Sequence, residues 1–468
     1  MLHDLHDTVR RANDTLPTVT AAPDQRGNSF ATWLRTRGPW QIFWIAFALR
    51  VACILIGHTY RIRPDDHHFN FGFEGGRIAR ALVTGRGYAD PFDGLSGPTA
   101  WLPPLYPLLL ALSFKLFGLY TRGAAIFVLI ANSFFSALIV PAIWEIAARC
   151  FDAQGFARRA AKSVTPVALW SAWLWAVYPA FLQYAIHWIW EMSLTTCLFA
   201  WVLVLALRLR GVGGARSTGL TTWIFFGALW GAIALSNASL LLVFPASLLY
   251  IAWPNLKGSL AGAITACVVF AIVLTPWVAR NQRTMHAFIP TRDNFGIELY
   301  QSSLFYHDIF EWGQAVPLNT QDPSYIAYAR MGEVAYAQMR GEQAKHTLAT
   351  HKRTFAKLTA ERIEFFWLGM PHGTSKHPAG EVIRTMNYVF LSAAGLWGLG
   401  LALKRRVPGS VLMLFVFALV PLVYYAVTVQ SRFRHPIEPL ICILTIYLFR
   451  STTPRAATRT ATRIDTAA

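Results

Sequence analysis

The 468-residue chain is poor in charge: Asp, Glu, Lys and Arg together make up 14% of it, against 54% hydrophobic residues. A soluble domain of this size carries roughly a quarter charged residues, so a water-soluble globular fold is excluded. It is also poor in acid, with 24 Asp and Glu against 42 Lys and Arg. The resulting formal charge of +18 suits anionic lipid or an anionic substrate, and by itself gives no argument for nucleic acid. Cysteine is scarce. Cys53, Cys150, Cys197, Cys267 and Cys442 all sit in or beside apolar runs, which excludes a disulfide framework in a polar loop. No internal repeat occurs, and the Ala/Thr/Arg-rich stretch 451–468 is the one segment of low complexity, expected to be disordered. The first 39 residues lack a short apolar core with a cleavage site and read as a cytoplasmic tail.

What the chain does have is long apolar runs, near 40–57, 123–148, 165–180, 187–208, 219–236, 238–254, 258–278, 381–403, 408–428 and 436–450. A helix needs about 20 residues to cross about 30 Å of hydrocarbon. The pattern predicts an all-α polytopic membrane protein with about ten transmembrane helices. The stretch 219–254 is too long for one span and is expected to fold back at Ser236-Asn237-Ala238.

The segment "GPTAWLPPLYPLLLALSFKLFG", 97–118, is ambiguous, because its apolar run follows Pro103-Pro104 and meets Lys115 after barely a dozen residues. Lysine and arginine concentrate in cytoplasmic loops. Left out of the span count, this segment lets Arg149, Arg158, Arg159, Lys162, Arg208, Arg210, Arg216, Lys257, Lys404, Arg405 and Arg406 fall on the side of the N-terminus. Counted as a span, it puts them outside. It is therefore expected to lie at the outer surface as a proline-started juxtamembrane helix. Two large segments then share the outer face, 58–122 and 279–380, bounded by a transmembrane bundle at 123–278 and C-terminal spans at 381–450. The second contains a stretch, 324–369, in which Leu348, Phe355, Leu358, Phe365 and Phe366 recur at helical spacing, predicting an amphipathic surface helix.

Chemistry-bearing residues gather in the outer segments. Glu74 opens a short helical pattern, placing it either as a general base in a cleft or as a plain helix-start carboxylate. Asp65-Asp66-His67-His68 reads as a divalent-metal site or, since adjacent residues rarely face one ion, as a solvated loop. His187 and Glu191, four apart, are expected on one face of a helix, with Trp188 and Trp190 as an interfacial belt beside them. Arg280 and Arg283 lie just outside a span, and Arg432, Arg434 and His435 crowd a very short outer hairpin. Arginine forks bind phosphate oxygens, and snorkelling to lipid heads is the plainer role for each.

Taken together, "FEGGRIARALVTGRGY", "PPLYPLLLALSFKLFG", "WIWEMSL", "TPWVARNQ" with "FGIEL", and "RFRHPIEP" resemble the GT-C superfamily of membrane glycosyltransferases. The resemblance is to the family 39 group of protein O-mannosyltransferases and aminoarabinose-transferase-like enzymes, and spans about residues 40–450. It implies a GT-C-like fold, a polyprenyl-phosphate-sugar donor, inversion at the anomeric carbon and a first-loop carboxylate as base. Many relatives begin that loop's helix with an Asp-Glu pair, where this chain has "FNFGFEGG" with a single acid. The base is then Glu74 or, by a shift of register, Asp66, with Glu74 preferred. Arg434, His435, Arg432 and Arg280 are the candidates to bind the donor phosphate. His187, Glu191, Asp65, Arg77 and Asn294 are candidates to bind substrate. A divalent metal could bridge the phosphate, but no residue set demands one. The acceptor is a protein, glycan or lipid hydroxyl. The competing class is a polyprenyl-lipid or glycolipid flippase, which would place ionisable groups at the bilayer midplane in two matching halves.

Overall fold

The computed structural model describes residues 29–62, 69–151, 166–217, 219–303, 316–317, 319–370 and 378–452. Asp65 and Asp66, the basic residues of 152–165 and the stretch 453–468 lie outside the described residues. A short helix, Ser29–Arg35, belongs to a separate unit ending at Arg37, in which the Arg37 guanidinium lies over the Trp33 ring.

From Gly38 onward the described residues form helices and no β-strand, with one isolated bridge between Ala89 and Pro98. In chain order they are α1 (Pro39–Gly57), α2 (Glu74–Val83), α3 (Leu105–Phe117), α4 (Arg122–Phe151), α5 (Pro166–Val177), α6 (Pro179–Ile186), α7 (Met192–Arg210) and α8 (Leu220–Ala234). There follow α9 (Val243–Ala252), α10 (Leu256–Met285), α11 (Phe295–Ser303), α12 (Pro323–Met331), α13 (Glu333–Thr350), α14 (Lys352–Leu368), α15 (Pro378–Lys404), α16 (Ser410–Ala426) and α17 (Glu438–Thr452). Five are long and apolar enough to cross a membrane: α1, α4, α7, α10 and Ala379–Lys404 of α15. The other five apolar runs form α5, α8, α9, α16 and α17, none longer than 17 residues. At 1.5 Å per residue such helices fall short of 30 Å, so length alone does not bring the count to ten.

Side-chain register gives the direction of each helix. In α4 and α7, Leu138 pairs with Trp201, Glu145 with Arg208 and Arg149 with Val212, so the two run parallel. In α8 and α10, Gly262 packs under Trp223, Gly227 against Ala266 and Gly231 against Val273, again parallel. A Cβ on Gly227 would stand 2.3 Å from the Ala266 carbonyl oxygen, so glycine is what lets these helices approach. Parallel α8 and α10 require the chain to reverse between them. The reversal falls where expected: α8 stops at Ala234, and the Asn237 side chain caps the 3-10 turn Ala238–Leu242 that leads into α9. In α15 and α17, Gly395 packs on Ile441 and Gly398 on Leu444, also parallel.

These directions sort every connection to one of two ends. Arg149, Arg208, Arg210, Arg216, Lys257 and Lys404-Arg405-Arg406 lie at one, together with the start of α1 and the end of α17. The other end gathers the described residues of 58–62, 69–121, 187–191, 235–242, 286–303, 319–370 and 427–437. Helix α3 stays at this second end. The Leu105 N–H donates to the Leu235 carbonyl at the top of α8, and Phe114, near the other end of α3, stacks on Phe71 and Tyr120 just before α4 begins. Both ends of α3 therefore contact elements at the same end of the bundle.

The charge of α1 is buried among the spans. Arg50 of α1 donates to Ser136 of α4 and to the carbonyls of Ala46, Trp175 and Ala176. The last two are unpaired carbonyls of the final turn of α5, the negative end of its dipole. The amphipathic stretch 324–369 is three helices, because Gly332 at φ +78° ends α12 and His351 ends α13. Its Phe366 is buried and its Leu348, Phe355, Leu358 and Phe365 half-buried, on the face the spacing marked.

Candidate active-site cavity

The second end holds a cavity of about 330 Å³ walled by six segments, 72–75, 101–107, 189–191, 236–239, 291–298 and 423–433. Its first wall begins with a glycine turn. Gly72 has φ +79°, and a Cβ there would stand 2.9 Å from the Ile189 carbonyl oxygen, so "FGFE" can turn beneath "WIWE" only with glycine at this position. Phe73, where many relatives of the resembled family carry a first acid, is packed instead in a cluster with Tyr184, Trp190 and Met192.

The turn sets Glu74 at the start of α2, buried and facing the cavity. Among the described residues its carboxylate makes no ion pair, and its own backbone N–H is the nearest hydrogen-bonding group acting on it. Burial pushes this carboxyl above the usual range. Its own N–H, Arg432 and Arg77 pull it back down, and Glu298 raises it further. Across the cavity the Arg432 guanidinium lies 3.6 Å above the Trp190 ring and 5.3 Å from Phe433. Burial lowers its pKa while Glu191, Glu74, Tyr184 and Glu298 act the other way, and arginine stays charged throughout. Among the described residues Arg432 has no ion-pair partner, although three carboxylates surround it. Such an unpaired cation beside an unpaired, desolvated acid is the arrangement expected of groups kept free for a ligand.

The far wall is a linked polar set. Arg292 Nε donates to Asn294 Oδ1 at 2.5 Å, Asn294 donates to Glu298 at 3.3 Å, Arg292 lies 3.6 Å from Glu298, and Thr428 donates to the other Glu298 oxygen at 3.2 Å. Trp101, Tyr106, Trp190, Tyr424 and Phe433 supply aromatic surface. Among the described residues no group of three or more His, Cys, Asp or Glu side chains could hold a metal.

The structure brings together Glu74, Glu191, Asn294 and Arg432 and leaves the other described candidates apart. Arg77 is buried behind the cavity, paired with Asp93 at 2.7 Å and set over the Phe73 ring. His187 is exposed. The four-residue spacing with Glu191 places nothing, because α6 ends at Ile186, α7 starts at Met192 and 187–191 is not helical. Arg434 and His435 are buried in the bundle. Arg434 donates to Ser392 Oγ at 2.5 Å and to the Tyr388 carbonyl, and both residues bind Glu438, His435 at 2.5 Å and Arg434 at 3.3 Å. Alternate residues of the short 3-10 segment Ser431–Ile437 thus face different ways, which spacing alone does not reveal. We expect Glu438→Gln to strip buried Arg434 of its counter-charge, to weaken the hydrogen bond to His435, and to cost about 3–5 kcal/mol. The check is the thermal transition of the purified protein, which should fall whether or not a lipid phosphate is bound. Asp65 and Asp66 lie outside the described residues.

Sequence reasoning missed Arg292, Glu298, Gln301 and Gln430. Arg292 lay in plain view in "PTRDNFG", at a surface where basic residues are disfavoured, and Glu298 in "FGIEL".

Arg280 holds the cavity from outside. Its guanidinium donates to the carbonyls of Tyr88 and Thr99 at 2.5 and 2.6 Å and to Asn281, while Trp277 Nε1 donates to the Thr291 carbonyl and Asn281 to that of Ile289. The end of α10 thereby ties down both loops that carry Trp101 and Arg292. Glu333 does the same from α13, accepting from Thr99 Oγ1, the Ala100 N–H and Tyr328 Oη. Burial and the neighbouring Asp293 carboxyl push Glu333 well above the usual carboxylate range. Arg280→Ala leaves the buried Thr99 carbonyl without its donor, at about 1–3 kcal/mol, and the Tyr88 carbonyl with only the Thr99 N–H. We expect a lower thermal transition and faster amide exchange at 88–101.

Fold and site together define a multi-pass helical membrane protein with a buried, ion-lined cavity at one end of its bundle. No family model and no curated protein matches the chain. Two solved structures do, both of ArnT from Cupriavidus metallidurans. The one bound to undecaprenyl phosphate shares 13% identity over 86% of this chain and 77% of that one, with a TM-score of 0.34. The other, in the apo state, shares 14% identity over 86% and 76%, with a TM-score of 0.30.

Proposed function

We propose that this protein is an inverting membrane glycosyltransferase that moves a sugar from a polyprenyl-phosphate donor to an acceptor hydroxyl at the cavity end of the bundle. The observation carrying this reading is the facing of Glu74 and Arg432, each without an ion-pair partner among the described residues, in one aromatic-lined cavity. Glu74 takes the proton of the acceptor hydroxyl as its oxygen bonds to the anomeric carbon. The bond from that carbon to the phosphate oxygen breaks, and the lipid phosphate leaves as an anion stabilised by Arg432. A lipid phosphate leaves readily without a general acid. Attack opposite the leaving group inverts the anomeric centre.

The distribution of lysine and arginine supports an orientation in which the basic end is cytoplasmic and the cavity opens at the outer, periplasmic face of an inner membrane. The start of α1 and the end of α17 then also lie on the cytoplasmic side. The test is transfer of label from radiolabelled polyprenyl-phosphate sugars by the full chain in lipid. Lipid-phosphate binding without turnover on any donor would overturn the enzymatic reading.

A further inference from the structure

Behind Glu74 and Arg432 the cavity continues into a chamber of about 50 Å³ that adds Gln301, Val316, Val429 and Gln430 to its lining. Gln301 and Gln430 are half-buried, and among the described residues neither carboxamide makes a hydrogen bond. Both are held in place by other contacts. The Ser302 carbonyl beside Gln301 accepts from buried Arg362 at 2.7 Å, and the Gln430 carbonyl accepts from the Phe433 N–H while Tyr388 Oη anchors Ser431. Glu298, partly engaged by Asn294, Arg292 and Thr428, adds an acceptor.

From this lining we infer that the chamber is a polyol subsite, in which Gln301, Gln430 and Glu298 read the hydroxyls of a sugar ring presented to Glu74. The inference rests on the glycosyltransferase reading and specifies its substrate side. Each carboxamide offers both donors and an acceptor, and a hydroxyl is both donor and acceptor, so the two match. A phosphate would meet two carboxylates, Glu74 and Glu298, against one guanidinium. An acyl chain would leave both carboxamides desolvated and unpaired. The ring belongs to the lipid-linked donor or to a glycan acceptor, since the chemistry is common to both.

The experiment uses the full chain in nanodiscs with three probes: undecaprenyl phosphate, undecaprenyl-phosphate mannose and free methyl mannoside. Wild type is compared with Gln301→Leu, Gln430→Leu and the shape-preserving Gln301→Glu. We expect each Leu variant to bind bare undecaprenyl phosphate as wild type does, which also reports folding, and to lose about three- to tenfold in affinity for a sugar-bearing probe. Loss confined to undecaprenyl-phosphate mannose assigns the subsite to the donor, and loss on methyl mannoside to the acceptor. Variants that bind all three probes as wild type does, or that weaken all three equally, overturn the subsite. A wild type that binds undecaprenyl phosphate but gains nothing from mannose overturns it while leaving the lipid-phosphate reading intact. A wild type that binds no probe overturns both.

Discussion

Glu74→Gln is expected to lower sugar transfer by about 10²–10⁴-fold while leaving donor affinity within a few-fold of wild type. The substitution keeps the shape and the buried setting but removes the group that takes the acceptor proton. Because Glu74 makes no ion pair, its neutral replacement strands no cation, and folding should be preserved. The same group fixes the pH dependence. A carboxyl raised by burial works as a base only once deprotonated. The acidic limb of kcat/KM should therefore lie above the ordinary carboxylate value of 4.5, with activity rising as pH passes through it. Raising the folded pKa also means that this group favours the fold below its unfolded pKa and loses that contribution as pH climbs through the folded one. The optimum for activity should thus sit on the alkaline side of the optimum for stability. Near-normal turnover in Glu74→Gln, or an acidic limb at or below 4.5, would remove Glu74 from the base role.

Arg432→Ala should cost about 10²–10³ in turnover, the size of losing one pre-placed donor at a developing anion, and should also weaken binding of the bare lipid phosphate. Arg432→Lys should recover little of this. The guanidinium lies flat over Trp190 at 3.6 Å, a position that an ammonium on a flexible stem does not reproduce. Arg434→Ala is the contrasting case: its guanidinium is spent on Ser392, the Tyr388 carbonyl and Glu438, so the loss should appear as stability and folded yield. Equal loss of lipid-phosphate affinity in both alanine variants at unchanged thermal stability would contradict the assignment of the phosphate role to Arg432.

The helices, the break at Asn237 and the surface position of α3 were legible in the sequence, because each follows from local features. Apolar length fixes where helices form, an Asn at a turn caps the next segment, and a proline-led run of a dozen residues is too short to cross. The charge bias of short loops carried the choice of side for α3, whose two ends touch Leu235 and Tyr120. Glu74 was legible for a similar reason, being a lone acid between glycines at a helix start.

What the sequence left open was which charged groups share the cavity. His187 and Glu191 part company because the helix breaks between them, and Arg432 and Arg434 because a 3-10 turn points neighbours in different directions. Arg280 holds loops together, and Glu298 enters the cavity from a segment more than two hundred residues beyond Glu74. Apolar periodicity determines that this chain is a helical membrane bundle, since hydrocarbon burial and backbone hydrogen bonding act locally along each segment. Only the tertiary structure decides which carboxylates and guanidiniums stay unpaired. A buried charge is neutralised by whatever counter-charge packing brings within reach, and that choice depends on the arrangement of helices far apart in sequence.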